Sequence, residues 1–221
     1  MFTPQINRIV ARGEGDEQLT KLFTRVGRIQ FMLLMLVLTG FVFVGEPFIC
    51  AWGGEEYGAA YWIALLLIAP VTVPLIQNIG IEIQRAKNMH QFRSKVYFCM
   101  AIGNALVSIP LGMKFGGIGC ALGTAISMVV GNGFIMNWYY QTHIGLDMRY
   151  FWKHILSIVP AMLPAVALGI IAVRLHTFTG YAGVVTFAVP YAAVYAVGLY
   201  LFAMDESEKN MVRGVMRKIR R

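Results

Sequence analysis

The sequence predicts an all-α integral membrane protein, and three observations predict it. Six apolar stretches are each long enough to cross a bilayer. The Lys and Arg residues alternate between the gaps that separate them. A short basic amphipathic segment follows the last stretch. A hydrocarbon core of about 30 Å takes roughly 20 residues of helix, and the stretches run over 28–52, 58–83, 96–113, 118–140, 151–173 and 181–204. They divide the chain into a leading segment, 1–27, a membrane region, 28–204, and a tail, 205–221.

The charge pattern orients these spans. Arg8, Arg12, Lys21, Arg25 and Arg28 lie before or at the start of the first span. The turn 53–57 has no Lys or Arg. Arg85, Lys87, Arg93 and Lys95 crowd the next connection, and only Lys114 occupies the one after it. Arg149 and Lys153 come next, then Arg174 alone, then the basic tail with Lys209, Arg213, Arg217, Lys218, Arg220 and Arg221. All but Lys114 and Arg174 therefore share one side. Cytoplasmic loops carry the excess of Lys and Arg, so both termini are expected in the cytoplasm, in a cytoplasmic (inner) membrane.

Composition narrows the function classes. Apolar residues make up 57%, charged residues 14%, and the net charge is +8. The cations are spread over alternate loops and not gathered on one soluble domain. That argues against a nucleic-acid partner and for contact with anionic lipid headgroups. Cys50, Cys99 and Cys120 are isolated in or beside apolar segments and read as small buried hydrophobes, neither a metal site nor a disulfide framework. No nucleophile elbow or metal-ligand spacing occurs, so neither an enzyme nor a cofactor is expected. Glu55 and Glu56 are chain neighbours and read as solvated loop acids.

The leading segment is too polar for a signal peptide. Residues 2–9, with Pro4, look like the end of a helix already under way, as in a longer protein. Asp16 and Glu17 suit the start of the next helix, as a cap and a first-turn acid.

Inside the spans, Pro70 and Pro74 predict a kink in the second. Gln77 and Asn78 follow at depth and must face protein or water, with Glu82 and Gln84 nearer the cytoplasmic end. The fourth span carries Gly119, Gly123, Ser127 and Gly131 at intervals of four, a stripe that lets another helix approach closely. Pro160, Pro164 and Pro190 mark the last two spans. His154 reads as an interface anchor. Trp52, Trp62, Trp138, Tyr139, Tyr140, Trp152 and Tyr181 fall where an aromatic belt belongs. Glu46 is the one acid well inside a span, and Pro47 beside it suggests that the helix is ending. In the tail, Asp205 and Glu208 suit a capping box. Met211, Val212, Val215, Met216 and Ile219 form an apolar stripe that should lie on the cytoplasmic leaflet.

Four runs carry a family resemblance. They are Pro4-Gln5-Ile6 with Ala11-Arg12-Gly13 and Leu19; Phe48-Ile49 with Trp52-Gly53 and Tyr57; Gln84-Arg85-Ala86-Lys87-Asn88 with His90, Phe92 and Arg93; and Asn104 with Phe115-Gly116-Gly117-Ile118-Gly119-Cys120-Ala121. In order and spacing the chain resembles the polysaccharide (O-antigen type) flippases of the multidrug/oligosaccharidyl-lipid/polysaccharide exporter superfamily. The resemblance implies a two-lobe, fourteen-helix architecture of which this chain would be the ninth to fourteenth helices, an incomplete fragment. It also implies a lipid-linked oligosaccharide as cargo, moved across the membrane for surface polysaccharide biosynthesis, with other glycan-assembly membrane proteins as partners. Arg85, Lys87 and Arg93 are then the candidates for the cargo's pyrophosphate, because a guanidinium offers a fork of donors. Gln77 and Asn78 are the candidates for a wet path. The same cations are also expected from orientation alone. The alternatives are a cation-coupled drug exporter of the same superfamily, a non-catalytic membrane subunit, or a decayed gene product without transport activity.

Overall fold

The computed structural model describes residues 3–12, 15–176 and 178–219, and the side chains of these except 212 and 215–219. It is all-helical, with no strand among the described residues. The helices are α1 (Thr3–Arg12), α2 (Asp16–Gly53), α3 (Ala60–Ile76), α4 (Ile79–Ala86), α5 (Gln91–Met128), α6 (Met136–Tyr139), α7 (Met148–Leu156), α8 (Val159–Leu175), α9 (Gly180–Phe202) and α10 (Glu206–Ile219). Two π-helical turns, Val129–Ile135 and Tyr140–Ile144, flank α6. Four helical segments are long and apolar enough to cross a membrane, or five if the bent pair α3 and α4 counts as one.

The hub is α2, which packs against α3, α7, α8 and α9. It starts at Asp16, twelve residues before the expected span. Leu19, Leu22, Phe23 and Val26 explain the extension. They recur at helical spacing and are all buried, so the segment is an amphipathic helix in its own right. At 1.5 Å per residue α2 is about 57 Å long. It also runs through Pro47 to Gly53, so the helix does not end at Glu46.

The helical run Gln91–Ile144 is two helices, because the chain reverses direction within it. Gly116 has φ 61° and ψ −139°, a conformation open to glycine and outside the helical region. It separates a first arm, 91–115, from a second, 117–144. The arms lie antiparallel, and the small-residue stripe forms their seam. A Cβ on Gly119 would collide with the Leu111 carbonyl, on Gly123 with Ser108, and on Gly131 with Met100. Thr124 and Ser108 both donate to Asn104 Oδ1, at 3.3 and 2.6 Å. Ser127, the stripe's other member, borders a groove between the arms.

Pro74 and Pro160 stand beside helix breaks, while Pro47, Pro110, Pro164 and Pro190 lie inside helices. α3 contains Pro70 and Pro74 and ends at Ile76. α4 leaves it at 40° after a turn at Gln77–Asn78. Pro160 sits in the first turn of α8, just after the break from α7 at Ser157–Ile158. A proline in the first helical turn loses a donor that would have been unpaired anyway.

Ile6, Phe23, Ile83, Tyr140, Leu146 and Phe151 form a buried cluster at one end, and Phe187, Tyr191 and Tyr195 of α9 form a second against α2. The first cluster lies at the end with the basic connections. Tyr139 and Tyr140 are buried there and do not belong to an interfacial belt, whereas Trp52, Trp62, Trp138 and Tyr181 are exposed as a belt requires. Cys99 and Cys120 are exposed, not buried, and all three cysteines are free.

At the same end Arg28 is 4% exposed and every one of its donors is used. Nε and Nη2 donate to Glu208 Oε1 and Oε2 at 2.9 and 3.1 Å. Nη2 also reaches the Ala203 carbonyl at 2.7 Å, and Nη1 the His154 carbonyl at 3.0 Å and Ser157 Oγ at 3.5 Å. The two carbonyls belong to the ends of α9 and α7, where helices leave acceptors unpaired. Glu208 also accepts from the Asp205 N–H at 2.9 Å, the backward half of a capping box. The remaining apolar stripe of α10 at Val212, Val215, Met216 and Ile219, the charges at Arg217, Lys218, Arg220 and Arg221, and Gly13 lie outside the described residues or side chains.

Removing one partner of this buried pair leaves the other charge stranded. Arg28→Met should cost about 3–5 kcal/mol, measured by denaturant unfolding in detergent. The double change with Glu208→Gln should cost less than the sum of the singles. Gly123→Leu should cost about 1–3 kcal/mol by overpacking the seam. Gly103→Leu, where a Cβ meets nothing within 4 Å, should leave the melting temperature unchanged. Equal behaviour of the two leucine variants would refute the seam.

Candidate functional site

The second arm is locally underwound into a π turn at Val129–Ile135, which leaves carbonyls poorly served by the helix ladder. Asn137 answers this from one turn further on. Its Nδ2 donates to the Asn132 and Gly133 carbonyls, both at 2.8 Å. Its Oδ1 accepts from Gln77 Nε2 at 3.0 Å and from Trp152 Nε1 at 2.9 Å. All four hydrogen-bonding positions of one amide are therefore filled. They tie together the break after α3, the second arm, and α7.

The network continues through Asn132, which is 4% exposed. Its Oδ1 accepts from the Tyr97 hydroxyl at 2.9 Å. The same hydroxyl accepts from Arg93 Nη2 at 2.6 Å, and Arg93 Nη1 donates to the Tyr140 hydroxyl at 3.1 Å. The guanidinium also lies 4.8 Å from the centre of the Tyr97 ring, within cation–π range. Gly80 makes room for the Tyr140 ring, whose hydroxyl lies 2.5 Å from where a Cβ would stand.

The sequence-predicted residues thus take different places. Gln77 is 3% exposed and bonded to Asn137, so in this structure it joins helices and does not line a wet path. Asn78 is exposed at the break, and its side chain caps nothing. Arg93 is held by two tyrosines. Lys87 Nζ is paired with Asp16 and donates to the Ile144 carbonyl at 2.7 Å. It therefore caps the end of the second arm. Asp16 is a first-turn acid and not a cap, since the residue before the helix is Gly15. Arg85 is 66% exposed and bonds Glu82 at 3.0 Å, while Glu82 also accepts from Thr3 at 3.2 Å. Gln84 is fully buried, and neither of its amide atoms has a partner among the described residues.

Gln77 and Arg93 share one network, and Arg85 and Lys87 do not join it. Asn132, Asn137 and Tyr97 escaped the sequence reading, which placed Tyr140 and Trp152 only in the aromatic belt. The signal was there for the two asparagines, since amides inside an apolar span need a partner. Among the described residues no group of His, Cys, Asp and Glu could hold a metal ion. The site offers hydrogen-bond coupling between helices, with Arg93 at its edge. Comparisons with protein-family models, with curated proteins and with solved structures return no match.

Asn137→Leu strands two donors and two carbonyls, each costing about 1–3 kcal/mol when buried and unpaired. Trp152→Phe strands only one acceptor site and should cost far less. Thermal unfolding in detergent checks the order, and the Trp152 fluorescence of Asn137→Leu should shift as its N–H loses its partner.

Proposed function

We propose that this is a multi-pass protein of the cytoplasmic membrane, with the basic end on the cytoplasmic side. The six crossings are α2, α3 with α4, the two arms, α7 with α8, and α9. The apolar windows of the candidate spans are only 11 to 33% buried. Exposed side chains such as Leu33, Phe98, Leu106, Met113, Leu163 and Leu175 form far more apolar surface than water tolerates. Lipid is the solvent that suits them.

Within that setting the chain acts in the translocation of a lipid-linked oligosaccharide, as the last helices of a two-lobed flippase. One observation carries this reading. Broken and π-turned helices meet at a buried polar cluster within otherwise apolar spans. Helix discontinuities and intramembrane polar groups are the hallmarks of transport paths. The order of the four runs described above supports the cargo class. Their turns coincide with the end of α2 at Trp52-Gly53, the turn after α4 at Lys87-Asn88, and the reversal at Gly116. Of the cations assigned to pyrophosphate, Arg85 and Arg93 fit that role best. Arg85 is largely exposed, and Arg93 is bonded to neutral hydroxyls and to no carboxylate among the described residues. Lys87 is engaged by Asp16.

The membrane orientation is tested in a cysteine-free background. Glu55→Cys should react with an impermeant maleimide from outside, and Arg149→Cys only after permeabilisation. The cargo is tested with a photoreactive polyprenyl-pyrophosphate oligosaccharide in native membranes. The protein should be labelled, and unlabelled lipid-linked oligosaccharide should compete. The Arg85→Lys, Arg93→Lys double variant keeps its charge but loses the donor forks, and should weaken binding by about 1.5 kcal/mol or more. Labelling that lipid-linked oligosaccharide does not displace sinks the cargo assignment.

A further inference from the structure

The connection between the second and third crossings holds four cations, and three have partners on the protein. Arg85 is bonded to Glu82, Lys87 to Asp16 and the Ile144 carbonyl, and Arg93 to Tyr97 and Tyr140. Lys95 is exposed, and among the described residues it has no hydrogen-bond or ion-pair partner. It stands at the basic end of a groove of about 420 Å³ between the two arms. That is the size of a small-molecule pocket, about 300–1,000 Å³. Val96, Met100, Gly103 and Val107 line it from the first arm, with Ser127 and Val130 from the second. Lys95 is the one charged group in the lining.

We infer that this groove holds one acyl chain of an anionic phospholipid whose phosphate rests on Lys95. Two features select that occupant. An unpaired ammonium at the mouth of an apolar groove complements a hydrocarbon chain that ends in a negative headgroup. The dimension then distinguishes a phospholipid from a longer prenyl lipid. From Lys95 to Val107 the groove follows twelve residues of helix, about 18 Å at 1.5 Å per residue. One leaflet is half of a roughly 30 Å core. The groove thus reaches from headgroup level to about the bilayer midplane, the depth of one acyl chain. Anionic phospholipids populate the cytoplasmic leaflet, the leaflet in which the proposed orientation puts Lys95. The lipid would fill the outer face of the seam between the arms and brace the hairpin that carries the polar network. The inference rests on the membrane placement proposed above and not on the cargo.

The test is native mass spectrometry of the full chain in detergent, titrated with phosphatidylglycerol. One adduct should form ahead of the rest. Lys95→Ala should weaken it about tenfold or more, the factor expected for a charge-assisted hydrogen bond. Gly103→Leu should remove it, because a Cβ there meets nothing within 4 Å and the side chain fills the groove. Lys114→Ala, at the opposite end, should leave it intact. Unchanged melting temperatures verify that the variants fold. Wild-type binding by both Lys95→Ala and Gly103→Leu overturns the site. Loss in Lys95→Ala with retention in Gly103→Leu, or equal competition by inorganic phosphate, reduces it to a surface charge and overturns the groove. Displacement by a polyprenyl phosphate at lower concentration than phosphatidylglycerol overturns the choice of lipid. Extraction of the protein from membranes by alkaline carbonate would instead refute the membrane placement.

Discussion

Arg28 is a permanent charge taken almost wholly out of solvent, and its five N–H groups must be matched where they stand. Glu208 supplies two acceptors, and the ends of α7 and α9, with Ser157, supply the others. No acceptor in this set comes from Arg28's own helix. The cost of burying the guanidinium is therefore offset only when α2, α7, α9 and α10 are all in position. Desolvation makes such a pair a weak source of net stability but a strong penalty on any arrangement that separates the partners. The interaction thus selects one packing of the basic end. It also brings α10 back onto the bundle, with Met211 beside Leu199 and Met204 around an apolar pocket.

The polar network between the arms and their neighbours obeys the same rule with neutral groups. An apolar interior supplies no water to complete a hydrogen bond, so each amide needs protein partners. Asn137 achieves this by using the carbonyls that the π turn loosens. The break after Ile76 turns Gln77 toward the same amide, and Trp152 closes the set from α7. A helix irregularity and a polar side chain thus satisfy each other. A regular α-helix through 129–135 would leave Asn137 with fewer carbonyl partners. Gln84 is the exception. Its buried amide is unmatched among the described residues, in a helix packed against α1 and α2.

The cations of the loop after α4 show how a uniform charge pattern resolves into separate tasks. Lys87 closes the carbonyl end of the second arm and pairs with the first turn of α2, where the N-terminal dipole also favours Asp16. Arg93 joins the network through phenol oxygens and a ring face. Arg85 stays on the surface and Lys95 at a groove mouth. Orientation in a membrane needs only the sum of these charges, and the packing gives each a different neighbour.

Much of the helical plan is determined by residue order. Apolar runs of the right length, prolines near the breaks and glycine at the reversal are local signals, and they act through backbone geometry that neighbouring residues settle. The seam is also legible, because glycine at intervals of four leaves one side of a helix bare whatever packs there. The amphipathic spacing of Leu19, Leu22, Phe23 and Val26 extends α2 to Asp16 on the same local grounds. The tertiary structure alone decided which helix meets the bare face, and that partner is the adjacent arm. It also decided that Tyr139 and Tyr140 belong to a core, that Lys87 is a cap, and that Arg28 faces Glu208 across 180 positions. These pairings join residues far apart in the chain. No local spacing encodes them, because each depends on where a different helix happens to end.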